Sequence, residues 1–242
     1  MVDHVGVCGR YAAAKDPAAL AVEFDIATEL PSPVGPDYNV APTKQAMIVV
    51  ERTIDDQLVR ALEVARWGLI PRWAKDPSIG NRMINARAET VAEKPAYRSA
   101  FSKRRCLVPA DGFYEWYQAS GKRKQPFYIR RKDGHSLAMA GLYEWWRGPK
   151  DGDDWTLTFT VITTQATDSV GRIHERMPMT IPAAQWEAWL DPTIGAEMAQ
   201  GFMVPAESDT LEAFPVSTRV NNVRNNGPDL VIPVEFDLGL GE

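Results

Sequence analysis

Along residues 155–164 threonine alternates with Leu157, Phe159 and Val161, the period-two pattern of a strand with its apolar face buried. Residues 46–51 and 58–67, with 53–57 between them, read as a hairpin. Residues 106–109 form a short apolar run ending at Pro109, and Asp111-Gly112 is a turn signal, so this stretch reads strand, turn, strand. A hairpin through 120–122 leads to a strand over 127–131. After a turn at Asp133-Gly134 come further strands at 137–145 and 214–217.

Helical signals are shorter. Asp16 caps a helix with Pro17 at its first position and apolar residues over 18–24. Short helices are expected at 95–101 and 196–202, a helical turn at 167–174, and an amphipathic helix at 182–190 bearing Trp186 and Trp189. Residues 30–42 are rich in proline and turn formers, and the loop at 38–43 is expected to lie extended on the surface. There is no repeat, low-complexity segment or linker. The pattern is that of one α+β domain built on a largely antiparallel, strand-rich, barrel-like sheet with short peripheral helices.

A hydrophobic share of 45% over 242 residues is enough for a sizeable core. The formal net charge of −5 argues against a nonspecific nucleic-acid coat but leaves room for a local basic groove. Arg104-Arg105, residues 122–124 and residues 130–132 are its candidates, with solvated hairpin ends as the alternative. No apolar run approaches the ~18 residues of a membrane span, and no secretory signal is present, so the chain is read as cytoplasmic.

Two distant cysteines and three scattered histidines lack the close spacing of zinc ligands, and no cofactor motif is present; neither metal nor cofactor is expected. A covalent nucleophile is then the economical route to chemistry, and Cys8 is its candidate. Cys106, within an apolar strand, is expected to be a buried free thiol. Glu115 shares a strand face with Phe113 and Tyr117, apolar surroundings that disfavour its charged form and prepare a general acid or base. The alternative is a rim carboxylate paired with a nearby arginine. Trp67 and Trp73 flank a proline-bearing loop that either wedges between bases or plugs the core, and 84–90 is too polar for a simple core element. His135 is expected exposed in its turn and His4 disordered in the N-terminal extension. His174, ahead of the Met177-Pro178 bend, stays open between a structural and a catalytic role.

Taken together, several segments resemble the SRAP (SOS response-associated peptidase) family: Cys8-Gly9-Arg10, the Asn39-x-Ala41-Pro42-Thr43 loop, Arg66-Trp67-Gly68-Leu69-Ile70-Pro71, residues 85–90, residues 105–116 and His174-x-Arg176-Met177-Pro178. They occur in order from Cys8 to about Asn225. The resemblance implies a protein that captures abasic sites in single-stranded DNA through an N-terminal cysteine, by a Schiff base that closes to a thiazolidine. It implies Cys8, Asn85, Glu115 and His174 as catalytic residues. It implies Arg10, Arg87 and Arg176 as phosphate contacts, with Asn39, Trp67, Pro71 and Trp73 completing the DNA surface. It divides the chain into an extension at 1–7, a family domain at 8–230 and a tail at 231–242.

An internal cysteine has an amide where this chemistry needs an amine. The seven leading residues are therefore expected to be removed, self-cleavage being one route, or never made, Val7 being a start codon read as valine. A monomer is expected, associated with the nucleoid when DNA is damaged, because a trap for one lesion needs no symmetry. Two other functions remain: a cysteine peptidase with Cys8 as nucleophile and His174 as base, and a module binding single-stranded or modified DNA without covalent chemistry.

Overall fold

The structure, a computed structural model, describes residues 8–32, 34–54, 57–118, 124–150, 152–205 and 210–235. Strands are β1 (Tyr11–Ala13), β2 (Asp37–Val40), β3 (Gln45–Ile54), β4 (Gln57–Trp67), β5 (Asn85–Arg87), β6 (Arg105–Ala110), β7 (Gly112–Gln118), β8 (Lys124–Arg131), β9 (Leu137–Arg147), β10 (Trp155–Gln165), β11 (Arg176–Pro178) and β12 (Leu211–Pro215). Helices are α1 (Pro17–Glu23), α2 (Arg98–Lys103), α3 (Asp168–Gly171), α4 (Trp186–Leu190) and α5 (Ala196–Gly201). His4, the turn at 120–122 and the basic pair at 122–123 lie outside the described residues.

One sheet closes on itself. β10 pairs with β4 on one side and β9 on the other, and β4, β3, β6 and β9 follow in order, so five strands form a ring. Alternation decides what lies inside it. Ile48, Val50, Ala65, Trp67, Cys106, Val108, Met139, Phe159 and Val161 share an inner layer. Val49, Leu62, Leu107, Ala140 and Ile162 form an outer layer under helix residues Leu20, Phe101 and Trp189. A second sheet, ordered β12-β8-β7-β1-β2, adds Tyr11, Val40, Phe113 and Ile129 to the inner layer. Its other face packs Ala12, Tyr114 and Tyr128 against Val220 and Leu230. The expected strand-rich, barrel-like α+β fold is met.

Several local expectations hold for the reasons that suggested them. The Asp16 side chain accepts from the Ala19 amide and caps α1 behind Pro17. β3 and β4 pair along their whole length, from Gln45 against Arg66 to Ile54 against Gln57.

One expectation is corrected here. The loop at 38–43 is not a surface loop: Tyr11 pairs with Val40 across β1 and β2, and Asn39, Val40 and Ala41 are buried. Proline density marked the ends of this strand and masked its middle. The strand, turn, strand expected around Asp111-Gly112 is present as β6 and β7. β6 pairs with β3 and β9, β7 with β1 and β8, so the bend hands the chain from the ring to the second sheet.

The described arginines named as candidates for a basic groove are engaged elsewhere. Arg105 is buried and donates to the carbonyls of Phe101, Ser102, Trp189, Asp191 and Ile194, satisfying the open ends of α2 and α4. Arg104 pairs with Glu144, Arg130 with Glu212 and Arg131 with Asp133.

The loop after β4 is cinched at its neck. Gly68 has a φ of 123°, and a Cβ on Gly80 would lie 2.7 Å from the Gly68 carbonyl oxygen and 2.9 Å from Ile70 Cγ1. Gly80→Ala is therefore expected to cost about 1–3 kcal/mol, the usual range for overpacking. Thermal denaturation would show the loss, and limited proteolysis would show new cleavage within 68–83. An unchanged melting temperature with unchanged cleavage would contradict this account of the neck.

Candidate active site

The chain leading into β1 runs beside the start of β7. Tyr11 pairs with Phe113, and the Tyr114 amide donates to the Arg10 carbonyl at 3.0 Å. Three residues before Tyr11 the backbone turns through Cys8, whose φ of 47° is in the left-handed region. This brings the Cys8 backbone nitrogen to 2.7 Å from Glu115 Oε1, a hydrogen bond in which Cys8 donates.

Glu115 is 1% exposed and takes part in none of the ion pairs among the described residues. The alternative of a rim carboxylate paired with arginine therefore fails. Burial pushes its carboxyl up to about 8, against which the Cys8 and Trp116 backbone N–H groups work. The Cys8 thiol is also buried and also pushed up, first by desolvation and then by Glu115. Cys106 is a buried free thiol, as expected.

Asn85 reaches the same place from the ring. β5 pairs parallel to β10, Asn85 opposite Val161, and the Asn85 side-chain amide approaches the Cys8 carbonyl at 3.4 Å. The Tyr97 hydroxyl donates to the Asn85 carbonyl at 3.1 Å and holds the strand in place. His174 follows α3 and precedes β11 and is half-buried. Its Nδ1 accepts from the Arg176 amide at 3.1 Å, so a neutral ring carries its proton on Nε2. No hydrogen bond joins His174 to Cys8 or Glu115 among the described residues.

Arg87 is exposed, opposite Thr163 on β10. Arg176 is engaged: it donates to both carboxylate oxygens of Glu89 and to the Thr163 carbonyl at 2.6 Å. Arg10 is engaged too, with Asn39 Oδ1 at 2.7 Å and the Val220 carbonyl at 2.8 Å, its guanidinium over the Trp116 ring.

Three residues assigned to the DNA surface lie inside. Asn39 is fully buried, its amide tying down the carbonyls of Val220, Asn222 and Asn225. Trp67 is fully buried, edge-on to Tyr11 at 5.0 Å, its indole N–H given to the Ile84 carbonyl. Pro71 is buried as well, and Trp73, 62% exposed, is the aromatic of that loop that faces solvent. Of the two tryptophans flanking that loop, one lies in the core and the other faces solvent.

Sequence reasoning missed Tyr97 and Glu89, which hold Asn85 and Arg176. It also missed Tyr11, whose position next to Cys8-Gly9-Arg10 was its one signal. Among the described residues no three histidine, cysteine or acidic side chains converge as a metal site would require. The arrangement joins a nitrogen, a thiol and a carboxyl of high proton affinity in a dry layer, a set suited to nucleophilic addition with proton transfer.

The profile of the SOS response associated peptidase (SRAP) family matches residues 7–223. The chain is 38% identical over 227 residues to the abasic site processing protein YoqW of Bacillus subtilis (strain 168), covering 93% of this chain and 99% of that one. It is 35% identical over 229 residues to the abasic site processing protein HMCES of Gallus gallus, covering 83% of this chain and 67% of that one. A crystal structure of a protein from Bacteroides thetaiotaomicron superposes with a TM-score of 0.82 at 26% identity, covering 94% of this chain and all of that one.

The Glu115 carboxyl has a consequence for stability. Between its ordinary value of 4.5 and about 8, the folded chain holds a proton that the unfolded chain releases, so stability falls as pH rises through that window and levels off above it. Glu115→Gln removes the titration but keeps an oxygen for the Cys8 N–H. The melting temperature of the variant relative to the parent is expected to rise steadily across the window. A difference independent of pH would contradict the burial argument.

Proposed function

The chain belongs to the SOS response associated peptidase (SRAP) family, and on that premise we propose that it captures abasic sites in single-stranded DNA by a covalent bond to Cys8. The observation that carries this reading is the 2.7 Å contact between the Cys8 nitrogen and Glu115. The names of the relatives YoqW and HMCES as abasic site processing proteins support the lesion.

The chemistry needs Cys8 at the N-terminus, with residues 1–7 removed or never made. An α-amino group has a pKa of about 7.7–8.0. Glu115, near 8 beside an amide, would share a proton with such an amine as a coupled pair. Passing that proton across the hydrogen bond leaves a neutral amine and a carboxylic acid in contact. The left-handed φ of Cys8 fits this need, because that dihedral and its strain exist only while the Val7–Cys8 bond does.

The amine adds to the aldehyde carbon of the ring-opened sugar. Glu115 then gives its proton to the departing hydroxyl, water leaves, and a Schiff base remains. The Cys8 sulfur adds to the imine carbon, its proton passes to nitrogen, and a five-membered thiazolidine closes. Amine and thiol sit on adjacent carbons, so closure is intramolecular. Asn85 orients the Cys8 backbone, and His174 hydrogen-bonds the opened sugar. Arg87 offers an exposed charge to phosphate, while Arg10 and Arg176 have part of their donors already committed. Trp73 is available to stack on a base, which only an unpaired strand presents freely.

A peptidase with Cys8 as nucleophile is less well supported. Such an enzyme needs a depressed thiol pKa and an adjacent histidine, whereas this thiol is pushed up and His174 makes no hydrogen bond to it.

The test compares the full chain with one beginning at Cys8, each mixed with single-stranded DNA bearing one abasic site and run on a denaturing gel. A stable shifted band is expected only from the chain beginning at Cys8 and only with abasic DNA. Cys8→Ala should abolish it, and Glu115→Gln should slow it about a hundredfold, within the usual range for general acid–base catalysis. No band from either chain, or an equal band from the full chain with its N-terminus intact, would overturn the proposal.

A further inference from the structure

The Tyr11 hydroxyl is fully buried and has no hydrogen-bond partner among the described residues, although buried polar groups ordinarily have one. β1 turns this side chain into the inner layer that Cys8 occupies, while Ala12 faces the opposite layer. The edge-on packing of the Tyr11 ring against Trp67, at 5.0 Å and 64°, sets where the oxygen sits. A hydroxyl aimed by aromatic packing and left unbonded is poised for a group that forms later.

The proposed reaction forms such a group. Ring closure requires the Cys8 sulfur to surrender its proton in a layer where burial and Glu115 both oppose a thiolate. Something must receive the developing charge, and no cation is hydrogen-bonded to Cys8 among the described residues. Beyond burial, the ionisable groups that act on the Tyr11 oxygen are Cys8 first, then Asp37 of β2 and Cys106 of β6; Glu115 of β7 accepts from the Cys8 backbone nitrogen.

We infer that Tyr11 is the residue that positions and hydrogen-bonds the Cys8 sulfur during thiazolidine closure. The inference rests on the reading of Cys8 as the capturing residue. In the step, the thiol proton goes to the imine nitrogen, the sulfur lone pair forms the C–S bond, and the imine π pair becomes the nitrogen lone pair. Tyr11 donates a hydrogen bond to sulfur as the proton leaves and keeps its own proton throughout. It takes no part in the earlier addition of the amine.

That division gives the test. Tyr11→Phe keeps the ring against Trp67 and removes only the oxygen. In the chain beginning at Cys8, borohydride trapping on abasic single-stranded DNA reads the Schiff base, and the adduct that is stable without reductant reads closure. Closure is expected to slow about tenfold, as loss of a hydrogen bond to a charged atom predicts, with trapping unchanged. Unchanged closure, or equal losses in both, would overturn the assignment.

A second arm does not depend on DNA. Alkylation of Cys8 by iodoacetamide against pH, assigned by peptide mapping, should have its midpoint moved upward in Tyr11→Phe by about one pH unit, the equivalent of the same tenfold effect. If the parent chain makes no DNA adduct but the midpoint moves, the capture reading and the closure role fail together, and only the hydrogen bond from Tyr11 to the Cys8 sulfur stands. An unmoved midpoint overturns it.

Discussion

The hydrogen bond from the Cys8 nitrogen to a buried Glu115 is the constraint on which the site depends. A carboxyl without a cationic partner in a dry layer resists ionisation, so Glu115 holds its proton at neutral pH and can still surrender it near its value of about 8. The same burial raises the Cys8 thiol. Proton affinities in this site are set by where the groups lie and less by neighbouring charges. In the proposed chemistry, protons pass between the groups of the site itself.

The fold supplies this dry layer by the way the chain changes sheets. β6 belongs to the ring and β7 to the second sheet, and the bend at Asp111 lets a single continuous segment serve both. Phe113 and Glu115 face the inner layer while Tyr114 turns outward, as strand alternation requires. β1, clasped between β2 and β7, then fixes Cys8 and Tyr11 on the same side. Asn85 arrives from the opposite wall on a three-residue strand carried by β10. Backbone pairing thus positions the groups around Cys8, and only short reaches are left to side chains.

Much of this was legible in the sequence where local pattern decides the outcome. The alternation of 155–164, the capped start at Asp16 and the apolar face around Glu115 each follow from a short stretch of chain. What the sequence left hidden depends on partners far along it. The burial of Asn39 comes from the loop at 220–225, and the burial of Arg105 from carbonyls at the ends of α2 and α4. Trp67 and Trp73 have the same chemistry, and only the ring tells which one it encloses. Arg104 and Arg130, candidates for a basic groove, pair with acidic partners far along the chain.

The central claim is that bond formation occurs at Cys8 and uses both its nitrogen and its sulfur. Its most direct test is mass spectrometry of the adduct between the chain beginning at Cys8 and abasic single-stranded DNA, after digestion with nuclease and protease. The account predicts that the peptide starting at Cys8 carries the sugar remnant with loss of water, that its sulfur no longer reacts with a thiol reagent, and that lysines are unmodified. An adduct on a lysine, or a modified Cys8 whose thiol remains free, would contradict it.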